Sequence, residues 1–252
     1  MSITIRRAQT VSNGVTLRGN NTQYVAPVPL PILFELDAST YTSPLSTWED
    51  ISGNGRHATV HGSPSFYNDS IGGYFGFTGN AAQYIDIAGS GSGWGIADNK
   101  IPNATISVWA NIIQYPLNYQ HVFGWRSDIF HFYFLMITGG SSNITEARVV
   151  SQGGSYDINQ PYDDYFNTWA YITFVADGNA GTSRLYINGT QIGTQGIGSS
   201  IWTPSGGLFT IASIGPDYPL HGYIGGAMAY SRALTPEEIA SEFNRTKARY
   251  GV

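Results

Sequence analysis

The chain has 252 residues, of which 42% are hydrophobic and 14% aromatic but only 12% charged; 31 are Gly, 17 are Tyr and Cys is absent. The lack of Cys excludes disulfides, thiolate nucleophiles and Cys-ligated zinc, and no apolar run approaches the length of a membrane span. Charge is uneven: residues 1–31 carry Arg6, Arg7 and Arg18 and no acid, whereas residues 32–231 carry five basic and fourteen acidic side chains. So acidic a body argues against nucleic acid as a ligand.

Residues 1–26 read as a polar arm. Ile3 and Ile5 alternate with Thr4 and Arg6, enough for a short strand that would pair outside the main domain. No apolar h-region is present, which predicts no secretory signal. Pro27, Pro29 and Pro31 then favour an extended connector over helix or central strand. The division expected is therefore an arm with its linker, 1–31, and a body, 32–252. Arg6, Arg7 and Arg18 are candidates for anchoring the arm on an acidic neighbour; an ordinary N-terminal tail fits equally well.

From residue 32 the pattern is strand after strand. Residues 32–36 open it, and 75–77 and 84–87 bracket a turn. In residues 105–112, Ile106, Val108, Ala110 and Ile112 alternate with Thr105, Ser107, Trp109 and Asn111, the period of a strand. Residues 130–137 are almost continuously apolar, as in a strand buried on both faces. The centre is 169–193, WAYITFVADGNAGTSRLYINGTQIG. Its β-branched and aromatic runs are separated by DGNAG and NG, which predicts three antiparallel strands in series. Strands at 146–151, 208–214 and 222–230 bring the total to roughly a dozen, an all-β antiparallel two-sheet sandwich.

One helix, 235–250, closes the chain. Thr235 suits the N-cap, Pro236 the first helical position, and Glu238 completes a capping box. Leu234 and Ile239 are placed for a hydrophobic staple, and Ile239 and Phe243 share the face toward the body. Arg245, Lys247 and Arg249 suit the C-terminal pole, and Gly251 a stop.

Several stretches in the expected order resemble one family. Residues 48–59, WEDISGNGRHAT, are similar to a W-x-D-x-S-G-N-G-x-x-A-T turn of laminin-G-like, concanavalin A-like lectin and glucanase jelly rolls. Residues 77–87 resemble their F-x-G…Y-I-x-I hairpin, and residues 105–109 their T-I-S-x-W. The central meander resembles W…R-L-Y-I-N-G…I-G, and residues 222–239 the closing strand and N-R-A-L-S-x-E-E-I helix. The resemblance implies a jelly roll. Within it, the polar arm, the absent signal and the absent Cys look most like copies carried by virion proteins of tailed bacteriophages. Two departures stand out: Gly225, Gly226 and Ala227 lie where relatives often place an acid, and Ser231 replaces Asn.

The resemblance also raises enzyme chemistry. Glucanases of this fold cleave with E-x-D-x-x-E, two carboxylates set along a strand. Here Glu35 and Asp37 are followed by Thr40, so the second carboxylate is missing and no catalytic residue is assigned. Asp50 and Asn54 begin like a calcium loop, but His61 stands where the closing Glu would be; they are the candidate calcium donors, against an ordinary Asx turn. The remaining candidates are loops mixing aromatic rings with Asp, Asn and Gln, the chemistry that binds sugar. These are 151–166, with Tyr156, Asp157, Tyr162, Asp163 and Tyr165; 90–100, with Trp94; and 215–223, with Tyr218. The resulting expectation is a virion-surface protein, tail fibre or capsid decoration, that binds host surface carbohydrate and contacts other virion proteins through its arm. It would insert in no membrane, and a homo-oligomer is compatible. The alternative is a purely architectural subunit in which Tyr-rich loops make protein contacts.

Overall fold

A computed structural model describes residues 9–11, 14–19, 22–24, 32–43, 46–87, 100–101, 103–113, 118–126, 131–138, 144–151, 154–197, 201–202, 208–213 and 218–252. The chain divides into two compact units, Met1–Pro31 and Ile32–Val252.

The first unit is more than an arm. Its described residues form β1 (Gln9–Val11), β2 (Gly14–Gly19) and β3 (Thr22–Tyr24), an antiparallel sheet in that order. Arg18 of β2 pairs with Gln23 of β3. These described strands pair with one another within the unit. Ile3, Ile5, Arg6 and Arg7 lie outside the described residues.

The second unit runs through β4 (Ile32–Asp37), β5 (Thr47–Trp48), β6 (Ala58–His61), β7 (Ser65–Asp69), β8 (Gly72–Thr78) and β9 (Tyr84–Ile87). It continues with β10 (Lys100–Ile101), β11 (Asn103–Ile112), β12 (Asn118–Arg126), β13 (His131–Thr138), β14 (Ile144–Ser151) and β15 (Gly154–Pro161). It ends with β16 (Trp169–Asp177), β17 (Thr182–Ile187), β18 (Thr190–Gly196), β19 (Ile201–Trp202), β20 (Leu208–Ile211), β21 (His221–Tyr230) and the helix α1 (Pro236–Tyr250). Two large antiparallel sheets result. The first has the order β18-β17-β16-β11-β21-β8-β7, with β4 also paired to β21; the second has the order β15-β14-β13-β12-β20-β9-β6-β5. This is the two-sheet sandwich that the patterning predicts and the jelly roll that the resemblance implies. Among the described residues no helix is long and apolar enough to cross a membrane.

The core lies between the sheets. Ile106, Val108, Ala110 and Ile112 from β11 and Ile172 and Phe174 from β16 belong to one buried cluster with Ile85, Ile87, Phe123, Ile158, Phe209 and Ile211 from the second sheet. Alternation on each strand puts these residues on one face. The central meander folds as read, with Asn188 and Gly189 both at positive φ in the two-residue turn between β17 and β18.

The other face of β11 is also buried, because α1 lies across it. The Trp109 ring stacks on Tyr250 at 4.1 Å and packs against Phe243 at 5.9 Å, and its Nε1 donates to Thr246 Oγ1 at 2.9 Å. Beside it, the Ser107 and Thr173 hydroxyls bond at 2.9 Å. The helix starts as its sequence predicts. Thr235 Oγ1 accepts from the Glu238 N–H, Glu238 Oε2 accepts from the Thr235 N–H, and Leu234 and Ile239 are buried.

Two readings need correction. Residues 75–77 and 84–87 do not form a hairpin: β8 belongs to the first sheet and β9 to the second. The intervening turn carries the chain across the sandwich, held by Gln83 Oε1, which accepts from the N–H and the hydroxyl of Thr78 at 3.0 Å each. Apolar alternation is the same whether two strands pair or face each other across a core. Residues 151–166 are not one loop either, since half of them form β15, paired with β14 from Ile144↔Pro161 to Ser151↔Gly154.

Candidate functional site

Glu35 and Asp37 face α1, on the helix-bearing side of the first sheet. Arg245 pairs with Glu35 at 3.0 Å, and Arg249 pairs with Asp37. Arg249 also donates to the carbonyls of Ile71 at 2.8 Å and Gly73 at 2.6 Å. Burial alone would raise the Asp37 carboxyl, but hydrogen bonds from Ser39 and Arg249 outweigh it and hold the group below the usual range. The two carboxylates therefore fasten the helix to β4, and Arg249 also ties its end to the turn between β7 and β8. The departures at Gly225 and Gly226 serve the same docking. A Cβ on Gly225 would lie 2.5 Å from the Tyr250 ring, so the bare backbone is what lets that ring settle.

Asp50 and Asn54, the candidate calcium donors, engage backbone groups around them. Asp50 Oδ1 accepts the N–H groups of Glu35 at 3.0 Å and Ser52 at 2.9 Å, and Oδ2 accepts that of Arg56 at 2.9 Å. These three donors outweigh the upward push of burial and lower the carboxyl. Asn54 turns its amide nitrogen to the carbonyls of Ile32 and Leu33. The loop is thus tied to β4 by an Asx turn. Among the described residues no three His, Asp or Glu side chains are grouped so that they could hold a metal ion.

Tyr162 needs the plainest correction. It is 0% exposed, its ring lies 5.2 Å from both Tyr165 and Phe166, and its hydroxyl is buried without a partner. Burial pushes that hydroxyl far up. The single turn of 3-10 helix at Asp163–Tyr165, closed by Tyr165 N–H to Tyr162 O at 2.9 Å, folds the ring inward. Tyr165 is half-buried against the core. Asp163 lies in that turn, Tyr218 is exposed at positive φ ahead of β21, and Trp94 lies outside the described residues.

Asp157 has a different setting. It sits opposite Arg148, which sits opposite Tyr133 and then Gly124, Thr210, Asp86, Thr59 and Thr47. Directly opposed residues share a face of a sheet, so one register row crosses all eight strands of the second sheet. Asp86 and Thr210 alternate with Ile85, Ile87, Phe209 and Ile211, each 0% exposed. Asp86 and Thr210 are therefore on the face turned away from the core, and the other residues of the row share their register position. Tyr156 alternates with Asp157 and falls in step with buried Ile158, outside the row.

Beside the row, His61 stacks on Tyr84 with ring centroids 4.3 Å apart and planes at 14°. His61 Nε2 lies 2.8 Å from Asp86 Oδ2. This corner combines a flat ring pair, a fixed carboxylate and the Thr59 hydroxyl position. Ring faces meet the C–H side of a sugar, and carboxylates, guanidinium groups and hydroxyls bond its hydroxyl groups. Reading loops missed Tyr84, Asp86, His61 and Arg148. The visible signal was the alternation of Tyr84 and Asp86 with Ile85 and Ile87.

Residues 79–240 match the family profile of the concanavalin A-like lectin/glucanases superfamily, laminin G type. Among solved structures, the binding domain of paraclostridial mosquitocidal protein 1 aligns with TM-score 0.65 at 18% identity, over 85% of this chain and 52% of that one. The binding domain of botulinum neurotoxin DC, in complex with SialylT, aligns with TM-score 0.65 at 17% identity, over 86% of this chain and 51% of that one. This chain thus spans about half the length of either domain. Domain 4 of AbnA, an extracellular arabinanase from Geobacillus stearothermophilus, in complex with arabinotriose, aligns with TM-score 0.61 at 18% identity, over 84% of this chain and 98% of that one. No match was found among curated protein sequences.

Proposed function

We propose that the chain, which belongs to the concanavalin A-like lectin/glucanase superfamily, is a carbohydrate-binding module that presents the outer face of its second sheet to a glycan. The register row from Asp157 through Arg148 and Tyr133 to Thr210, Asp86 and Thr59 carries this reading. It sets acid, base, hydroxyl and aromatic positions along a line long enough for several sugar units. The opposite side of the sandwich is different, since α1 occupies it over Trp109. A binding role, without cleavage, is supported by Glu35 and Asp37, which are engaged by Arg245 and Arg249. Two relatives of the same fold were captured with SialylT and arabinotriose. Glycan-array screening of the intact chain, with and without calcium, tests the reading. Binding that falls about tenfold or more in Asp86→Ala and Asp157→Ala is the expected result; binding unchanged in both, or none to any glycan, would reject it.

The finer reading is a virion-surface protein of a tailed bacteriophage, a tail-fibre or decoration subunit that adsorbs to host surface carbohydrate. Its support is the resemblance of this Cys-free chain, with its basic first unit, to such virion copies. In this reading Met1–Pro31, a compact unit of its own, attaches the jelly roll to other virion proteins. Removing residues 1–31 then abolishes incorporation into particles and leaves glycan binding intact. Normal incorporation of the truncated chain would refute the attachment role.

A further inference from the structure

The helix-bearing sheet carries a second aromatic surface that the reading above leaves unused. Beyond the end of α1, the rings of Tyr67, Tyr74, Tyr223 and Trp169 touch in sequence. Tyr67 stacks on Tyr74 at 5.1 Å and 15°. Tyr223 meets both edge-on, at 6.0 and 5.5 Å, and Trp169 meets Tyr74 edge-on at 5.7 Å. Tyr67 and Tyr74 are direct cross-strand partners, and β7 is the edge strand of its sheet. One face of the Tyr67 ring therefore rests on Tyr74, and at the sheet edge the residue stays 43% exposed. Gly76 makes the arrangement fit, since a Cβ there would lie 2.7 Å from the Tyr67 ring and 3.3 Å from that of Tyr223.

The rim is polar and fixed. The Tyr74 hydroxyl donates to Asp69 Oδ2 at 2.8 Å, and the Ile71 N–H donates to Asp69 Oδ1 at 3.0 Å. Burial and that carboxylate push the Tyr74 hydroxyl up to about 12, so it stays a donor across the physiological range. Each Asp69 oxygen keeps a lone pair for a further donor. Between Trp169 and Tyr223 in register lies Asn111, whose Oδ1 is buried without a partner.

The geometry points to a second sugar site, with the exposed part of Tyr67 stacking on one pyranose ring and Asp69 accepting its hydroxyl groups. Size selects the occupant. A tyrosine offers on the order of 200 Å², so the free part of Tyr67 matches one sugar face. A stable dimer needs about 800 Å² per partner, far more than this ring supplies. The site stands on residues separate from those of the second sheet, so either site can fail without the other.

The test is aromatic-region NMR of the intact chain titrated with methyl β-D-glucopyranoside and, separately, methyl β-D-galactopyranoside at millimolar concentrations. The site predicts saturable shifts of the Tyr67 and Tyr74 rings for at least one of the two. Tyr67→Ala should weaken the response about tenfold or more in a chain that still unfolds cooperatively, and Tyr67→Trp should retain it. Asp86→Ala, on the other sheet, should leave these shifts intact. Rings unmoved by both glycosides would overturn the site, as would a Tyr67→Ala chain that binds like the parent. A self-association abolished by Tyr67→Ala would overturn it in favour of a copy-to-copy contact.

Discussion

Replacing Gly225 by Ala adds one methyl group where the helix leaves no room for it. The new Cβ would lie 2.5 Å from Tyr250 Cε1, 2.7 Å from its hydroxyl oxygen and 3.0 Å from Cζ. The ring cannot swing aside cheaply, because it is 6% exposed, stacked on Trp109 at 4.1 Å and packed against Trp169 at 4.9 Å. Overpacking of this kind costs about 1–3 kcal/mol. For a chain of this size that corresponds to roughly 2–4 °C of melting temperature per kcal/mol, so a fall of roughly 4–8 °C is expected for a mid-range cost. Tyr250→Ala alone removes the ring and should cost about 3–5 kcal/mol. In that background Gly225→Ala meets no ring, and its further cost should fall within about 0.5 kcal/mol of zero. Urea unfolding of the four chains measures the cycle. An equal loss from Gly225→Ala in both backgrounds would refute the argument that the glycine exists to seat Tyr250.

Three further outcomes follow from the same framework. Arg249→Met strands the Asp37 carboxylate and removes a donor from the Ile71 and Gly73 carbonyls; about 3 kcal/mol should be lost in urea unfolding, less than the fully buried case because both side chains keep some solvent. Asp37 and Asp50 both have lowered folded-state carboxyls. Their contribution is therefore complete above the unfolded value of about 3.9 and is lost as the pH falls through the lower folded values; a stability profile flat from pH 5 down to pH 2 would contradict it. Thr235→Ala removes the side-chain acceptor for the Glu238 N–H and should cost about 1 kcal/mol, whereas Thr235→Ser should cost little.

Local chemistry made the helix legible. Its cap, its first proline and its staple lie within six residues, and all act there as the sequence implies. The strands of the central meander were legible for the same reason, because period and turn residues are neighbours in sequence. The fate of Glu35 and Asp37 was not legible. Their partners Arg245 and Arg249 lie 210 and 212 residues away, and nothing near the acids announces them. Tyr162 misled because an aromatic ring in a polar stretch looks like a surface group until one turn of 3-10 helix folds it beneath Phe166. The candidate glycan face was the least legible. It takes one residue from each of eight strands, and pairing register, which no single strand encodes, decides which residues line up.

The central claim is that the outer face of the second sheet holds the glycan. Hydrogen–deuterium exchange of the intact chain, with and without an oligosaccharide selected on the array, tests it most directly. The account predicts added protection in β6, β9, β20, β12, β13, β14 and β15, the strands that carry Thr59, Asp86, Thr210, Gly124, Tyr133, Arg148 and Asp157, with β16, β11 and α1 unchanged. Protection confined to the strands beneath α1, with the second sheet unaltered by a saturating ligand, would contradict it.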